Sequence, residues 1–326
     1  MKLALSPIRA LASGVVLSLA GLVGNAHAQA QFPDRPVRII VPFAPGGGTD
    51  LIARTLGQGM AKELGQSVII DNKPGGGTVI GTDQAAKSPP DGYTMVIATL
   101  AHAVNPSLLN KLPYSNDTAF AAVSLIGRGP NVLVVRPDSP YKTVKDILDA
   151  AKAGKRLTYA SQGNGTSAHL AGELFTNLSK VELLHIPYRG AGPAMTDLRG
   201  GQVDMFFGTA AAVSSFVSQG TLRAIAVTSP EPSPAFKGVP TIAATVPGYS
   251  VESWYGFFVP AGTPAPVIAK LNAAVKKAAH TPEFVQKVEQ EGLVVSASEP
   301  AEFDRYVKAE EARWRKVVKE NNIKSD

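Results

Sequence analysis

A repeated pattern of hydrophobic and polar positions runs along the chain. A short apolar run at residues 37–43 is followed by a loop, Pro45 to Gly48, and then by residues 49–64, whose apolar side chains recur near helical spacing. The same order continues through residues 67–98. This alternation predicts βαβ units and a mainly parallel sheet with helices on both faces.

A second set of alternating segments begins near Asn131. Its five short apolar runs predict a second sheet, and Thr143 is a residue type that caps the start of a helix. We predict strands at residues 132–135, 157–160, 181–186, 203–207 and 222–227, and helices at residues 142–153, 165–178, 193–200 and 210–219.

Residues 228–250 are rich in proline, which predicts an extended connector. Beyond it we expect a strand at 255–259, a helix at 264–279 and a long helix at 300–321. Because so few elements make a poor core by themselves, we predict that they return to complete the first unit. The predicted organisation is lobe 1 at residues 29–128 plus 251–326, lobe 2 at residues 129–250 including the return connector, and a cleft between them.

The first 28 residues have the features of a secretory signal peptide. Lys2 and Arg9 precede an uncharged, mostly apolar stretch at residues 11–24, and Ala26-His27-Ala28 has the form of a cleavage site. The apolar stretch is shorter than the roughly 20 residues of a spanning helix. We therefore expect export to the periplasm and cleavage after Ala28.

Composition excludes several classes of protein. The chain has no cysteine, so disulfides, thiolate metal sites and cysteine nucleophiles are excluded. The net charge is +6, and loss of the two basic residues of the leader leaves +4, without the one-sided basic stripe that nucleic-acid binding requires. A small anionic ligand remains compatible with this balance.

Two loops are candidates for binding such a ligand. Residues 42–50 and 160–169 each lead from a predicted strand into a predicted helix, where backbone N–H groups and the helix dipole favour an anion. Across a cleft they would suit a carboxylate, although their glycines could equally serve tight turns. Their glycines permit close approach of the backbone to an anion, and Thr49, Thr166 and Ser167 add hydroxyl donors.

Nucleotide-binding and catalytic patterns are missing from the sequence. Neither glycine loop has the spacing G-x-G-x-x-G, and the Gly154-Lys155 pair is followed by Arg156 instead of Ser or Thr. There is no G-x-S-x-G and no H-E-x-x-H, so we expect neither a cofactor nor a metal. A secreted hydrolase using Ser161, His169 and Asp204 is the rival hypothesis.

Further candidates follow other predicted strands. Arg189 is a ligand-directed cation or a solvated loop residue, and Asp204 either points at the cleft from the carboxyl end of a strand or makes a structural hydrogen bond. His169 donates to an anion or packs, and His185 is better explained as a core residue. Phe43, Tyr188 and Trp254 could stack on an aromatic acid or belong to the core.

Several motifs together resemble the Bug family, the substrate-binding receptors of tripartite tricarboxylate transporters. The resemblance covers essentially the whole mature chain, in order. It is carried by Pro42-Phe43-Ala44-Pro45-Gly46-Gly47, Asn72-Lys73-Pro74-Gly75, Pro90-Asp91-Gly92-Tyr93, His185-Ile186-Pro187-Tyr188-Arg189-Gly190, Gly200-Gly201-Gln202-Val203-Asp204 and Pro260-Ala261-Gly262-Thr263-Pro264.

The resemblance implies a two-lobed periplasmic binding protein of the Venus-flytrap type, in which each lobe is a mainly parallel sheet flanked by helices. It implies capture of a small organic acid by lobe closure, delivery to membrane permease subunits, and no enzymatic activity; we expect a monomer. A receptor that serves a signalling partner is a further alternative. Carried over to this sequence, it places two groups of residues at a ligand carboxylate: Phe43, Gly47, Gly48, Thr49 and Asp50, and Ser161, Gly163, Gly165, Thr166 and His169. Thr99, Tyr188 and Asp204 would line the middle of the site.

The sequence departs from the family pattern at two places. Many relatives have Pro-Gly-Ala-Gly-Gly where this chain has Pro74-Gly75-Gly76-Gly77-Thr78, and Glu231-Pro232 stands where a basic residue is common. We expect both segments to lie away from the carboxylate loops.

Overall fold

The computed structural model describes residues 32–109, 111–290 and 292–324. The predicted signal peptide and its cleavage site lie outside these residues. Within them, every helix is too short or too polar to cross a bilayer.

The first part of the chain confirms the predicted alternation of strands and helices. Three parallel strands pair in the order β2-β1-β3, with helices between them. The elements are β1 (Val37–Val41), α1 (Gly48–Leu64), β2 (Val68–Asn72), α2 (Val79–Ala86), β3 (Thr94–Thr99), α3 (Leu100–Leu108), α4 (Asn116–Ala119) and β4 (Phe120–Val135).

The second set of strands also lies close to its predicted positions. Strands β5, β6 and β7 are parallel, and the predicted helix start at Thr143 is confirmed by a capping box with Asp146. The elements are α5 (Val144–Lys152), β5 (Leu157–Ser161), α6 (Ser167–Ser179), β6 (Leu183–Pro187), α7 (Ala191–Arg199), β7 (Met205–Thr209), α8 (Ala210–Ser218) and β8 (Arg223–Val227).

After the proline-rich connector the chain returns to the first set of strands. The strand β9 pairs with β3, and α9 packs against α1. The elements are β9 (Glu252–Pro260), α9 (Ala265–Ala279), α10 (Pro282–Gln290), β10 (Val294–Val295) and α11 (Pro300–Glu320). The division into lobes at the stated residues stays a prediction.

One long strand joins the two sets of strands. The strand order is β2-β1-β3-β9-β4-β7-β5-β6, and β4 pairs with β9 up to Pro130 and with β7 from Asn131 onward. Only residues 132–135 of β4 were predicted. Both β4 and β9 run antiparallel to their neighbours, because the chain leaves one set along β4 and returns beside it along β9. The two-lobed α/β fold is thus as expected, but the sheet is mixed.

Buried polar groups fix the point where β4 changes partners. The N–H of Asn131 donates to Thr228 Oγ1 (2.7 Å), and its side-chain amide donates to the carbonyl of Phe207 (2.7 Å). The hydroxyl of Thr228 donates in turn to the carbonyl of Val251 (2.6 Å). These bonds tie the strand that leaves the first set to the connector that returns to it.

Candidate functional site

A cavity of about 470 Å³ lies where the loops of the two sets of strands meet. Its walls come from the loops after β1, β2, β5 and β6, which all leave the carboxyl ends of parallel strands. The two loops singled out from the sequence therefore share one cavity. The lining residues are Pro42, Phe43, Pro74, Gly75, Gly76, Gly77, Thr78, Ile80, Leu109, Gln162, Gly163, Asn164, Pro187, Tyr188 and Arg189.

The N-terminal ends of three helices converge beside this cavity. A Cβ atom added to Gly47, the N-cap of α1, would lie 3.3 Å from Cβ of Ala191 in the first turn of α7. A Cβ added to Gly48 would lie 2.9 Å from Cβ of Ala211 in the first turn of α8. Each helix start carries unpaired backbone N–H groups and about half a positive charge, so the arrangement favours an anion nearby.

Asp50 holds the loop after β1 in place. Its carboxylate accepts hydrogen bonds from the N–H of Gly46 (3.0 Å), from Nε of Arg54 (2.9 Å) and from the amide of Asn72 (2.9 Å). The same amide nitrogen also donates to the carbonyl of Phe43 (3.0 Å). Both carboxylate oxygens are thus engaged inside the protein, which makes Asp50 a residue that positions the loop.

The pKa of the Asp50 carboxyl is shifted below its ordinary value. Burial acts to raise it, but the hydrogen bonds from Arg54, the N–H of Gly46 and Asn72 outweigh the burial and lower it, and the charge of Arg54 adds to them. The carboxylate also lies in the first turn of α1, where the helix dipole favours a negative charge. The ionised form of Asp50 is therefore the one that stabilises this loop.

The loop after β5 is held by side chains that lie beneath it. The N–H of Gly163 donates to Oγ of Ser161 (3.0 Å), and the hydroxyl of Thr166 donates to the carbonyl of Gly163 (2.7 Å). The N–H of Gly165 donates to Nδ1 of His169 (3.2 Å). Ser161 and His169 are fully buried, so they shape the loop from behind the cavity wall.

The structure does not assemble the triad of the hydrolase hypothesis. The hydroxyl of Ser161 is hydrogen-bonded to Nε2 of His185 (2.7 Å) and not to His169, whose ring centroid lies 4.5 Å from that of His185 with the two rings tilted by 31°. Asp204 precedes β7 and accepts from the N–H of Thr158 (2.8 Å) near the start of β5. Asp204 therefore does not lie at the carboxyl end of a strand: it lies before the amino end of β7, roughly 10 Å along β5 from Ser161. The alternative prediction, a structural hydrogen bond, is confirmed.

Tyr188 and Arg189 extend the wall from the loop after β6. The hydroxyl of Tyr188 donates to Asp197 (2.7 Å), and burial together with that carboxylate raises the pKa of Tyr188 to about 12. Arg189 is exposed, and it carries the one charged side chain among the lining residues that the structure describes. Its carbonyl accepts from the N–H of Ala44 (3.0 Å), which joins this loop to the loop after β1.

The remaining predicted residues do not line the cavity. Thr99 ends β3, beside the carboxyl end of β1. The other predicted residues are buried behind the wall: Gly47, Gly48, Thr49, Asp50, Ser161, Gly165, Thr166 and His169. No cluster of potential metal ligands occurs in residues 32–109, 111–290 and 292–324.

The loop after β2 was misjudged from the sequence. Residues 74–78 were expected away from the carboxylate loops, but they line the same cavity. A Cβ added to Gly77 would lie 2.5 Å from the carbonyl oxygen of Asn164, so the two loops approach through backbone alone. Gly75, Gly76, Gly77 and Thr78 all have positive φ, a run of left-handed residues that the three consecutive glycines hinted at. Ile80, Leu109, Gln162 and Asn164 carried no local signal.

Comparison with known proteins agrees with the geometry. Residues 52–323 match the family described as tripartite tricarboxylate transporter family receptor. The structure of the periplasmic binding protein BugD is 33% identical with a TM-score of 0.87, over 90% of this chain and all of that one. A structure of an R. palustris protein with adipate is 35% identical with a TM-score of 0.86, again over 90% of this chain and all of that one.

A third structure, MatC from Rhodopseudomonas palustris with bound malate, is 34% identical with a TM-score of 0.84, over 88% of this chain and all of that one. The matched family is one of solute-binding receptors and not an enzyme family. The chain belongs to the Bug family of periplasmic receptors of the tripartite tricarboxylate transporter type.

Proposed function

We propose that this chain captures a small organic carboxylate in the periplasm and delivers it to the membrane permease of a tripartite tricarboxylate transporter. The observation that carries the proposal is the cavity between the four loops. The N-terminal ends of α1, α7 and α8 meet beside it, and Arg189 lines it without an acidic residue among the described lining residues. An anion of small size suits that combination.

Closure of the two lobes is the proposed mechanism of capture. The bond from the N–H of Ala44 to the carbonyl of Arg189 and the close approach of Gly77 to Asn164 both link loops of different strand sets. Contacts of this kind form only when the loops are brought together. A ligand that touches both sides favours the closed state by its differential affinity for that state.

Two of the similar structures support a carboxylate as the ligand. One is titled with adipate and the other with bound malate. We propose that Gly163, Tyr188, Arg189 and Phe43 contact the ligand. Gly47, Gly48 and Thr49 lie behind that wall at the start of α1, where the helix dipole favours a carboxylate nearby. Asp50, Ser161, Gly165, Thr166 and His169 position these residues, and Thr99 lies at the edge of the site.

A thermal-shift screen tests the binding function. Mono-, di- and tricarboxylic acids are each compared with the corresponding amide, which keeps the shape and removes the charge. A ligand at one hundred times its Kd stabilises the folded state by about 2.7 kcal/mol. We expect a saturable rise in Tm with at least one acid and none with its amide. Equal shifts with acid and amide, or no shift with any acid, would refute carboxylate capture.

Arg189→Gln tests the cation of the site, with Arg156→Gln as the matched control. Arg156 is exposed and does not line the cavity. We expect the first variant to weaken binding by about tenfold, as for loss of one charge-assisted hydrogen bond, and the second to leave binding unchanged. Equal Kd values for both variants would remove Arg189 from the site.

The proposed partner and the absence of catalysis have their own tests. Uptake of the bound acid into vesicles that contain the permease subunits should require this protein. A signalling receptor would bind the acid without supporting uptake. Incubation with esters of the best ligand should give no product, because Ser161 is buried beneath its loop.

A further inference from the structure

Part of the cavity lining is apolar, and carboxylate recognition does not account for it. We call Phe43, Ile80 and Leu109, which line the cavity together with proline rings, its apolar side. The side chain of Phe43 is buried, but Ile80 is 56% exposed. An aliphatic side chain gains free energy when it is removed from water, so an apolar group placed over Ile80 would be favoured.

The loop after β2 directs Ile80 into the cavity. Ile80 lies in the first turn of α2, and a Cβ added to Gly75 would lie 2.7 Å from its Cδ1. One face of the isoleucine therefore rests on the glycine backbone, and the side chain contributes to the cavity wall. Ile80 is thus held where it would contact the body of a bound acid.

The polar side chains of the wall are few. Arg189 supplies the one charge among the described lining residues, and Thr78, Gln162 and Asn164 supply neutral groups. A tricarboxylate would bring three negative charges to a single cation. Hydroxyl groups placed against the apolar side would lose hydrogen bonds to water without replacement.

We propose that the ligand carries one or two carboxylates on a hydrocarbon body, either a chain or an aromatic ring. The apolar side formed by Phe43, Ile80 and Leu109 selects that body against hydroxylated acids and tricarboxylates. This selection rests on the proposed function, because it concerns the same cavity.

Two pairs of acids test the selection, since the members of each pair differ only in hydroxyl groups. Adipate is compared with galactarate, its tetrahydroxylated counterpart, and benzoate with gallate, its trihydroxylated counterpart; citrate represents the tricarboxylates. With Kd measured by titration calorimetry, we expect adipate or benzoate to bind at least about tenfold more tightly than its counterpart and than citrate. A hydroxylated acid or a tricarboxylate as the tightest ligand of the wider screen overturns the selection.

Ile80→Ser tests the residue, and Ile69→Ser is its matched control. Ile69 is 51% exposed on β2 and does not line the cavity. We expect Ile80→Ser to weaken binding of the preferred hydrocarbon acid about five- to tenfold and Ile69→Ser to leave its Kd unchanged. Equal Kd values for the two variants overturn the role of Ile80.

The two proposals fail in different ways. If no acid of the wider screen binds, the proposed function fails and the selection fails with it. If acids bind but the hydrocarbon acids are not preferred, only the selection fails. Urea unfolding of both isoleucine variants checks that any loss of binding is not a loss of folded protein.

Discussion

Asp50→Asn is expected to destabilise the loop after β1 and with it the folded protein. All three groups around the Asp50 carboxylate are donors: the N–H of Gly46, Arg54 and Asn72. An asparagine has nearly the same shape, but its NH₂ group must face at least one of these donors in either orientation. The substitution therefore removes a charge and also creates an unfavourable contact.

The size of the effect follows from the number of bonds. Three hydrogen bonds to a buried carboxylate, at about 1 kcal/mol each after allowance for the exposed side of Arg54, give a loss of about 3 kcal/mol in the free energy of unfolding. Asp304→Asn is the matched control, because Asp304 also pairs with a cation four residues later, Lys308, but on an exposed helix. That control should lose less than about 0.5 kcal/mol.

Urea denaturation at neutral pH measures the free energy of unfolding of both variants. Titration with the preferred acid measures whether the loop after β1 still supports binding. We expect Asp50→Asn to weaken binding as well, since Phe43 and the start of α1 lose their support. Because folding lowers the pKa of Asp50, its contribution is present above about pH 4 and is lost as the pH falls through the folded-state pKa. Wild type and Asp50→Asn should therefore converge in acid. The positioning role of Asp50 would be refuted if Asp50→Asn lost no more unfolding free energy than Asp304→Asn, or if wild type and Asp50→Asn still differed in stability in acid.

Three further perturbations probe other parts of the molecule. Gly77→Ala and Gly65→Ala both force alanine into positive φ, which costs about 1 kcal/mol of stability, but a Cβ at Gly77 would also overlap the carbonyl oxygen of Asn164, so Gly77→Ala should lose more stability and should alone raise the Kd for the acid. Burial lowers the pKa of His102 to about 4, so unfolding should become easier by about 3 kcal/mol as the pH falls from 6.5 to 4. In His102→Phe the free energy of unfolding should change less between pH 6.5 and 4, and an unchanged pH dependence would show that His102 is not its source. Ser161→Ala should lower the free energy of unfolding by about 2 kcal/mol in urea, because two hydrogen bonds lose their partner; no loss would contradict its structural role.

The regular βα units could be predicted because their signals are local. An apolar run, a glycine loop and a helix-spaced segment lie within about 25 residues of each other, and the structure follows them at β1 with α1 and at β5 with α6. Thr143 could be recognised as a helix cap for the same reason. Because the strands of each set are parallel, the loops that follow their carboxyl ends lie at the same end of that set.

The long strand β4 was missed because nothing local identifies it. Residues 120–131 contain Gly127, Gly129 and Pro130, which are unfavourable in a strand interior, and the pairing with β9 has two register shifts. The two glycines are needed because the backbone of residues 292–294 approaches them closely. That neighbour lies more than 160 residues away along the chain, beyond the reach of any window of sequence.

The candidate site also contains some parts that local sequence predicts and others that it does not. The loops after β1 and β5 follow from chain direction and glycine content, whereas Ile80 reaches the cavity because the loop after β2 folds across it, and Leu109 reaches it from the end of α3. Gly75, Gly76 and Gly77 allow that crossing by their positive φ and lack of side chains. The wall they form is largely backbone and offers little chemical discrimination. Under the proposed function, recognition of one acid over another therefore depends on the few side chains that interrupt the backbone wall, and Ile80 and Arg189 present opposite chemistries there.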